Sequence, residues 1–261
     1  MSETLEELTE KIIKESISLY LLNKKIDTTH VLDPIFPKER RVASIMQGLM
    51  TSFGTKVWEK LAAEYAQASG FKVFDQKQFN SSVPEIPKEV RHLISDFEVR
   101  KLANPKLSHE TFYEEVKEYI KTNKIVPSKY KKIPKGTGID LWIKVDDIEY
   151  LIDVKTTQIN AGTGPKLNSN ILSWYTYQAF RNEPPLTKCF IAFPFNPHKG
   201  DFWSKEAGKV EPLIPSDEAR IADEFWGVVT NTPNPTDKIL RVFNKIGSSN
   251  FPKQFDSIFY L

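Results

Sequence analysis

Hydrophobic and polar residues alternate in two successive runs within GIDLWIKVDDIEYLIDVKTT, residues 138–157, which is the pattern of a β-hairpin. If the chain turns at the Asp-Asp pair, Val145 lies opposite Ile148, and pairing outward brings Asp140 across from Asp153. A one-residue slip would expose the apolar side and bury the charges, so the register is well specified. The apolar face, which we expect to pack against a helix, consists of Leu141, Ile143, Val145, Ile148, Tyr150, Ile152 and Val154.

Apolar residues spaced three and four apart, together with capping residues, predict helices elsewhere. The predicted helices cover about residues 5–23, 38–49, 51–69, 108–122, 168–181, 216–225 and 236–246. Short apolar runs predict further strands at 71–74, 188–194 and 227–229, and residues 80–87 are expected to form a loop. We therefore expect an α/β fold with a mixed central β-sheet flanked by helices on both faces.

Composition narrows the class of protein. The chain has 261 residues and is 40% hydrophobic, which suits a substantial core, and no apolar run approaches the ~20 residues needed to span a bilayer. The acidic, amphipathic N-terminus is unlike a secretory or transit peptide, so we expect a cytoplasmic protein. Cys189 is the only cysteine, which excludes an internal disulfide and any multi-cysteine zinc site. The net charge of +2 argues against coating of nucleic acid by the whole surface.

The predicted hairpin carries a candidate metal site. Directly opposed residues have Cβ atoms about 4.5–5.5 Å apart, so Asp140 and Asp153 could share a divalent cation. Lys155 projects on the same side as Asp153, because strand side chains alternate with a period of two. A hard oxygen site of this kind suits Mg²⁺, with Mn²⁺ as a substitute, and indicates metal-assisted hydrolysis of a phosphodiester.

A simpler interpretation is that these charges decorate the solvent side of a hairpin. The Asp-x-Lys pattern is weak evidence alone, since the chain also contains Asp75-Gln76-Lys77. Asp153 differs because an apolar strand leads into it and another aspartate faces it. We therefore favour a chemical role for the Asp153 motif.

Gly138-Ile139-Asp140, followed by Asp153-Val154-Lys155, resembles the signature of the PD-(D/E)XK nucleases, with isoleucine where the family usually has proline. Length and layout are most similar to type II restriction endonucleases. Residues 38–62 are similar to the N-terminal block of one group of these enzymes, associated with cleavage at GGNCC. The two blocks together cover less than a quarter of the chain.

The resemblance implies a restriction-endonuclease-like core in which Asp140 and Asp153 are metal ligands. The main-chain carbonyl of Val154 would complete the metal shell, and Lys155 would be the catalytic lysine. It also implies Mg²⁺-dependent cleavage of a short duplex DNA site, leaving 5′-phosphate ends. A homodimer acting on a palindrome and a cognate DNA methyltransferase are the expected partners.

Glu59 is a candidate fourth member of the site. It shares a helix face with small alanines, so this face could approach another element closely. In the resembling nucleases a helical glutamate before the aspartate pair often contributes to the metal site. The alternative is a surface glutamate paired with Lys56 or Lys60, and Glu64 is a weaker competitor on the same helix.

Candidates for DNA contact are basic and amide side chains in polar segments near the hairpin. They are Lys132, Lys135, Lys166, Asn168, Asn170 and Lys199. Each also suits an ordinary solvated loop, because Asn, Gly and Pro are what turns require.

We expect one domain over residues 1–261. It would comprise an N-terminal helical part of about 1–50, a catalytic core of about 51–195 and a C-terminal part of about 196–261. The last part could contribute DNA recognition or dimer contacts. Two other functions remain open: a structure-selective repair or recombination nuclease of the same fold, and a non-catalytic DNA-binding module.

Overall fold

The computed structural model describes residues 4–23, 29–156 and 159–260. Its α-helices are α1 (Leu5–Asn23), α2 (Pro37–Phe53), α3 (Glu59–Ala68), α4 (Gln76–Ser81), α5 (Lys88–Ala103), α6 (His109–Thr122), α7 (Gly164–Ala179), α8 (Trp203–Val210), α9 (Asp223–Val229), α10 (Pro235–Gly247) and α11 (Asp256–Tyr260). Its strands are β1 (Lys72–Phe74), β2 (Val83–Pro84), β3 (Tyr130–Lys131), β4 (Leu141–Val145), β5 (Ile148–Val154), β6 (Leu186–Phe193) and β7 (Ala219–Ile221). A π-helical turn, Gly54–Trp58, joins α2 to α3, and a 3₁₀ turn, Pro252–Phe255, precedes α11.

The central sheet is mixed, as predicted. Within the described residues it has five strands in the order β1-β4-β5-β6-β7. The β1–β4 and β4–β5 pairs are antiparallel, whereas β5–β6 and β6–β7 are parallel. The hairpin register is the predicted one, because Val145 pairs with Ile148 and Leu141 pairs with Ile152.

Helices cover both faces of this sheet. The apolar face of the hairpin packs into a core with residues of α1, α3, α9 and α10. On the opposite face Leu151 packs with residues of α5, α6 and α7. Asp153 also lies on that second face and is 3% exposed. The simpler interpretation, charges decorating a solvent-facing hairpin, is therefore wrong.

Several other local predictions are confirmed. The first helix has the predicted bounds, and the Ser108 side chain caps α6 by accepting from the Thr111 N–H. The strand predicted at 188–194 is β6, which lies beside β5 in parallel. In α1, however, Leu19 is exposed.

The predicted helix start at Thr51-Ser52 is wrong. α2 continues to Phe53 and passes through the π-helical turn into α3. The reason is that the Thr51 hydroxyl donates to the Gln47 carbonyl at 3.0 Å, a contact within the helix instead of a cap. The turn lies close to the end of the β4–β5 hairpin, because a Cβ on Gly54 would meet the Thr156 methyl at 3.1 Å.

The start of α7 also differs from the prediction. It begins at Gly164, with Pro165 in its first turn, so Asn168 and Ser169 lie inside the helix instead of capping it. Proline is favoured there because its fixed φ suits the first turn of a helix. The predicted loop at 80–87 contains the end of α4 and the strand β2, which pairs with β3.

The order of elements between residues 216 and 229 is the reverse of the predicted one. The strand β7 comes first, and α9 follows it over the residues predicted to be a strand. Ser216 has φ +64°, and its hydroxyl donates to Glu224 Oε1 at 2.6 Å, so it belongs to a turn before β7. Capping chemistry read from sequence cannot distinguish a turn serine from a helix-starting serine.

Cys189 lies in the interior of β6. Its main-chain N–H donates to the Tyr175 hydroxyl at 3.0 Å, and burial raises the pKa of its thiol. Among the residues that the structure describes, no helix has the length and apolar character to cross a bilayer.

Candidate active site

Asp140 and Asp153 meet at the open end of the hairpin. The Asp140 N–H donates to the Ile152 carbonyl at 2.9 Å, which continues the hairpin register one residue beyond β4. Its carboxylate Oδ2 accepts from the Val154 N–H at 2.9 Å, and the two aspartate side chains are in hydrogen-bonding contact. The strand pairing therefore places two carboxylates together, as the register predicted.

This contact is electrostatically unfavourable while both groups are charged. Burial, reinforced by the negative charge of Asp153, raises the pKa of Asp140 well above its ordinary value. A bound proton relieves the repulsion, and a cation between the two carboxylates would do the same. The contact between two carboxylates thus points to a cation-binding function.

Lys155 lies at the edge of the site. Its Nζ is 2.6 Å from Asp153 Oδ1, and its side chain is 31% exposed. The Lys155 N–H donates to the Ala192 carbonyl at 2.8 Å, so β6 holds its backbone although β5 has ended. The amine is therefore rigidly placed beside the carboxylates and open to solvent.

Glu59 comes close to the same pair. It is the first residue of α3, directly after the π-helical turn, and is partly buried. The pKa of Glu59 is raised, mainly by burial and in part by the negative charge of Asp153. A hydrogen bond with Thr55 and the positive charge of Lys155 lower it, but by less. Glu59 is thus within electrostatic reach of the site.

A cleft of about 580 Å³ opens onto these groups. The loop between β3 and β4 forms much of its wall, including Lys132 and Lys135, which are exposed. The remaining lining residues include Asn80, Ile133, Pro134, Gly136, Gly138 and Ile139, beside Asp140, Asp153 and Lys155. Two of the lysines predicted to contact DNA therefore stand next to the acidic centre.

Asn80 reaches this cleft without having been predicted. Its side-chain amide bonds to the backbone of Ile139, which is 59 positions away along the chain. The sequence around Asn80 gives no sign of such a long-range contact, and residues 80–87 were expected to form a loop. Only the folded arrangement of α4 against the β3–β4 loop shows it.

Two of the predicted DNA contacts are wrong. Asn168 is 2% exposed and its Oδ1 lies 2.6 Å from His109 Nε2, and Asn170 is 6% exposed. Both are interior residues of α7, because the helix starts four or more residues before them. Lys166 and Lys199 are exposed but do not line the cleft, so their role stays a prediction.

The donor set fits a hard divalent cation. Across the described ranges, no three His, Cys, Asp or Glu side chains lie close enough to form a metal cluster. The available donors are the two aspartate carboxylates with the carbonyl of Val154, and Mg²⁺ is commonly held by one or two carboxylates plus water and substrate phosphate. The contact between the two carboxylates, which is unfavourable while both are charged, supports this fit.

Comparison with known proteins gives two matches. The family described as "Type II restriction endonuclease, HinfI" matches residues 1–247. The type II restriction enzyme MjaII of Methanocaldococcus jannaschii is 25% identical over 128 residues, covering 46% of this chain and 35% of that enzyme. The chain therefore spans about a third of the length of this curated relative.

Proposed function

This chain belongs to the HinfI family of type II restriction endonucleases, and on that basis we propose that it cleaves duplex DNA at a short specific site. The observation that carries the proposal is the contact between Asp140 and Asp153 beside Lys155, at the mouth of an open cleft. The reaction is hydrolysis of a phosphodiester bond. By the family resemblance its products carry 5′-phosphate ends.

Asp140, Asp153 and the main-chain carbonyl of Val154 would hold Mg²⁺, with Mn²⁺ as a substitute. When bound, the metal would stabilise charge on the phosphate and lower the pKa of a coordinated water. The protein's own contribution is rigidity, since hydrogen bonds to Val154 and Ala192 fix Asp140 and the Lys155 backbone before substrate arrives.

The Lys155 ammonium is the group placed to act on the reacting phosphate. It would donate hydrogen bonds to a phosphate oxygen or to the attacking water, while Asp153 holds it in place. Lys132 and Lys135 would bind neighbouring phosphates along the cleft wall. These roles support one another because all of the groups face the same opening.

Other features stay predictions of the resemblance. They are cleavage at GGNCC, a homodimer with one active site per strand and a cognate methyltransferase. A cytoplasmic location stays a prediction from the N-terminal sequence and composition. The single-domain organisation also stays a prediction. Digestion of a plasmid tests site specificity: discrete fragments support a restriction enzyme, whereas structure-dependent nicking would favour a repair or recombination nuclease.

The central experiment replaces the proposed site residues. We expect Asp153→Ala and Lys155→Ala to abolish cleavage in Mg²⁺ but leave sequence-specific DNA binding in Ca²⁺ largely intact, because neither change removes the basic cleft wall. Cleavage is followed on gels, and binding by fluorescence anisotropy. Asp147→Ala, at the exposed hairpin turn, and Lys77→Ala, in the second Asp-x-Lys motif, are the matched controls.

Cleavage by purified Asp153→Ala at the unsubstituted rate would remove the assignment. Calorimetric titration of Mg²⁺ without DNA, compared with Asp140→Asn, distinguishes an enzyme from a binding module of the same fold. An unchanged titration would favour the binding module.

A further inference from the structure

A side-chain amide on α4 binds the backbone that leads into Asp140. The Asn80 Nδ2 group donates to the Ile139 carbonyl at 2.8 Å, and the Ile139 N–H donates to Asn80 Oδ1 at 3.0 Å. The main-chain carbonyl of Asn80 also accepts from the Ile133 N–H at 2.9 Å. One residue therefore holds both ends of segment 133–139, and Asp140 follows directly.

The chemistry of asparagine suits this position. Segment 133–139 lies between β3 and β4 and belongs to neither strand. A carboxamide offers the same donor and acceptor as a peptide group, so Asn80 takes the place of a neighbouring strand for Ile139. On the far side of the segment, Trp174 Nε1 donates to the Thr137 carbonyl at 2.8 Å.

Gly138 shows how closely the amide approaches. A Cβ at this position would lie 2.5 Å from Asn80 Oδ1 and 2.8 Å from its Cγ. The φ of Gly138 is not in the left-handed region, so the backbone itself would accept an L-residue. The amide of Asn80 is therefore what excludes a larger side chain.

We propose that Asn80 is a positioning residue that fixes residues 138–139 so that the Asp140 carboxylate lies against Asp153. It acts through Asp140, and the inference rests on the proposed nuclease function. Loss of the amide would release residues 138–139, which would misplace one carboxylate of the donor set. The Ile133 N–H would keep its bond to the main-chain carbonyl of residue 80, so the part of the loop that carries Lys132 and Lys135 would stay in place. DNA binding depends on the lysines of the cleft wall and on other surfaces.

The test compares Asn80→Ala and Asn80→Asp with Ser81→Ala, the neighbouring α4 residue whose hydroxyl bonds only within the helix. Asn80→Asp keeps the size of the side chain but removes the donor to the Ile139 carbonyl. We expect both Asn80 variants to lower kcat roughly ten- to a hundredfold, with little change in KM for DNA. Calorimetric titration of Mg²⁺ without DNA should show a weakening of similar size, while Ser81→Ala matches the unsubstituted protein in both measurements.

A double-mutant cycle separates positioning from general loss of structure. Gly138→Ala should reduce kcat because its methyl group displaces the Asn80 amide. In the Asn80→Ala background the same change should cost almost nothing more, since the obstructing amide is gone. Independent, multiplicative losses in kcat would overturn the proposed role.

The outcomes distinguish this inference from the function on which it rests. If the unsubstituted protein cuts DNA and Asn80→Ala retains its kcat and its Mg²⁺ affinity, only the role of Asn80 fails. A joint loss of DNA binding in Ca²⁺ and of melting temperature in both Asn80 variants would also overturn it, in favour of a purely structural contact. A protein that cuts no DNA in Mg²⁺ or Mn²⁺ overturns the proposed function and the inference together.

Discussion

Asp153 is surrounded by groups that respond to its charge. Lys155 forms an ion pair with it, Asp140 shares a hydrogen bond with it, and the pKa values of both Asp140 and Glu59 are raised partly by it. By contrast, Asp75 in the second Asp-x-Lys motif accepts from the Lys77 N–H and caps α4. The Asp-x-Lys pattern therefore occurs in two different settings. Only the copy at Asp153 follows an apolar strand and faces a second aspartate.

Glu59→Gln tests the fourth member of the site. The substitution keeps the size of the side chain and removes a negative charge near Asp153. If Glu59 helps to hold the metal or its waters, cleavage should fall roughly ten- to a hundredfold, as for residues that support metal ligands. Single-turnover rates over a range of Mg²⁺ concentrations would measure it.

Glu64→Gln, on the same helix, is the control and should cleave normally. Equal rates for Glu59→Gln and the unsubstituted protein would reduce Glu59 to a structural residue. In that case the role of Glu59 would be its hydrogen bond with Thr55.

At the residue scale, sequence predicted Asp140, Asp153 and Lys155 as neighbours because strand periodicity fixes which side chains share a face. Glu59 was predicted from its helix face and from resemblance. Asn80 could not be predicted, because its bonds to Ile139 join positions far apart in the chain. Contacts of that kind exist only once α4 has packed.

Elements with strong periodicity or a clear cap were predicted well. The hairpin and α1 have the expected positions, and α6 begins after its Ser108 cap. α5 was missed, and one reason is visible in its burial: Lys101, near its end, is fully buried against Glu218. A buried lysine breaks the polar–apolar pattern, and its partner lies in a distant turn.

The ion pair between Lys101 and Glu218 therefore holds α5 to the turn before β7. Lys101 Nζ lies 2.7 Å from Glu218 Oε2, and Glu218 Oε1 also accepts from the His109 N–H at 2.9 Å. Burial would raise the pKa of Glu218, but His109 and Lys101 outweigh burial and lower it. The carboxylate consequently stays charged in the interior.

Lys101→Met should lower the free energy of unfolding by about 3–5 kcal/mol, because it leaves a buried carboxylate without its lysine partner. Urea denaturation followed by circular dichroism measures this. Lys101→Met combined with Glu218→Gln should recover part of the loss, since the isolated charge is removed. Lys245→Met, which breaks an exposed ion pair with Glu10, should change stability little. Similar losses in Lys101→Met and Lys245→Met would contradict this account.

On the scale of the whole molecule, the sheet separates two hydrophobic cores, and the candidate site lies where its central strands end. Asp153 and Val154 are the last residues of β5, and the neighbouring parallel strand β6 ends beside them. The fold class followed from the order of strands and helices in the sequence. The sequence did not predict the oligomeric state or which loops would contact DNA, because Asn, Gly and Pro suit ordinary turns as well as contact loops.

Because the overall charge is only +2, the proposed binding of DNA would depend on local basic surface. Replacing Lys132 and Lys135 together by alanine should weaken binding in Ca²⁺ for all sequences. The slope of log K against log salt should become shallower by about 2, because two phosphate contacts are lost. Anisotropy titrations from low to moderate salt would measure it.

The matched control is Lys106→Ala with Lys121→Ala, two exposed lysines that do not line the cleft. This control removes the same net charge. An equal change of slope in both double variants would show that binding responds to total charge instead of to the cleft wall.

The position of Cys189 provides a reporter of strand separation. Its thiol is the chain's sole sulfhydryl, is shielded inside β6, and pairs in register with Leu151 of the strand that bears Asp153. Alkylating reagents would modify it only when this part of the sheet opens, because a shielded, protonated thiol is inert. The kinetics of alkylation would thus measure how often the sheet opens beneath the Asp140–Asp153 pair, without any substitution in the protein.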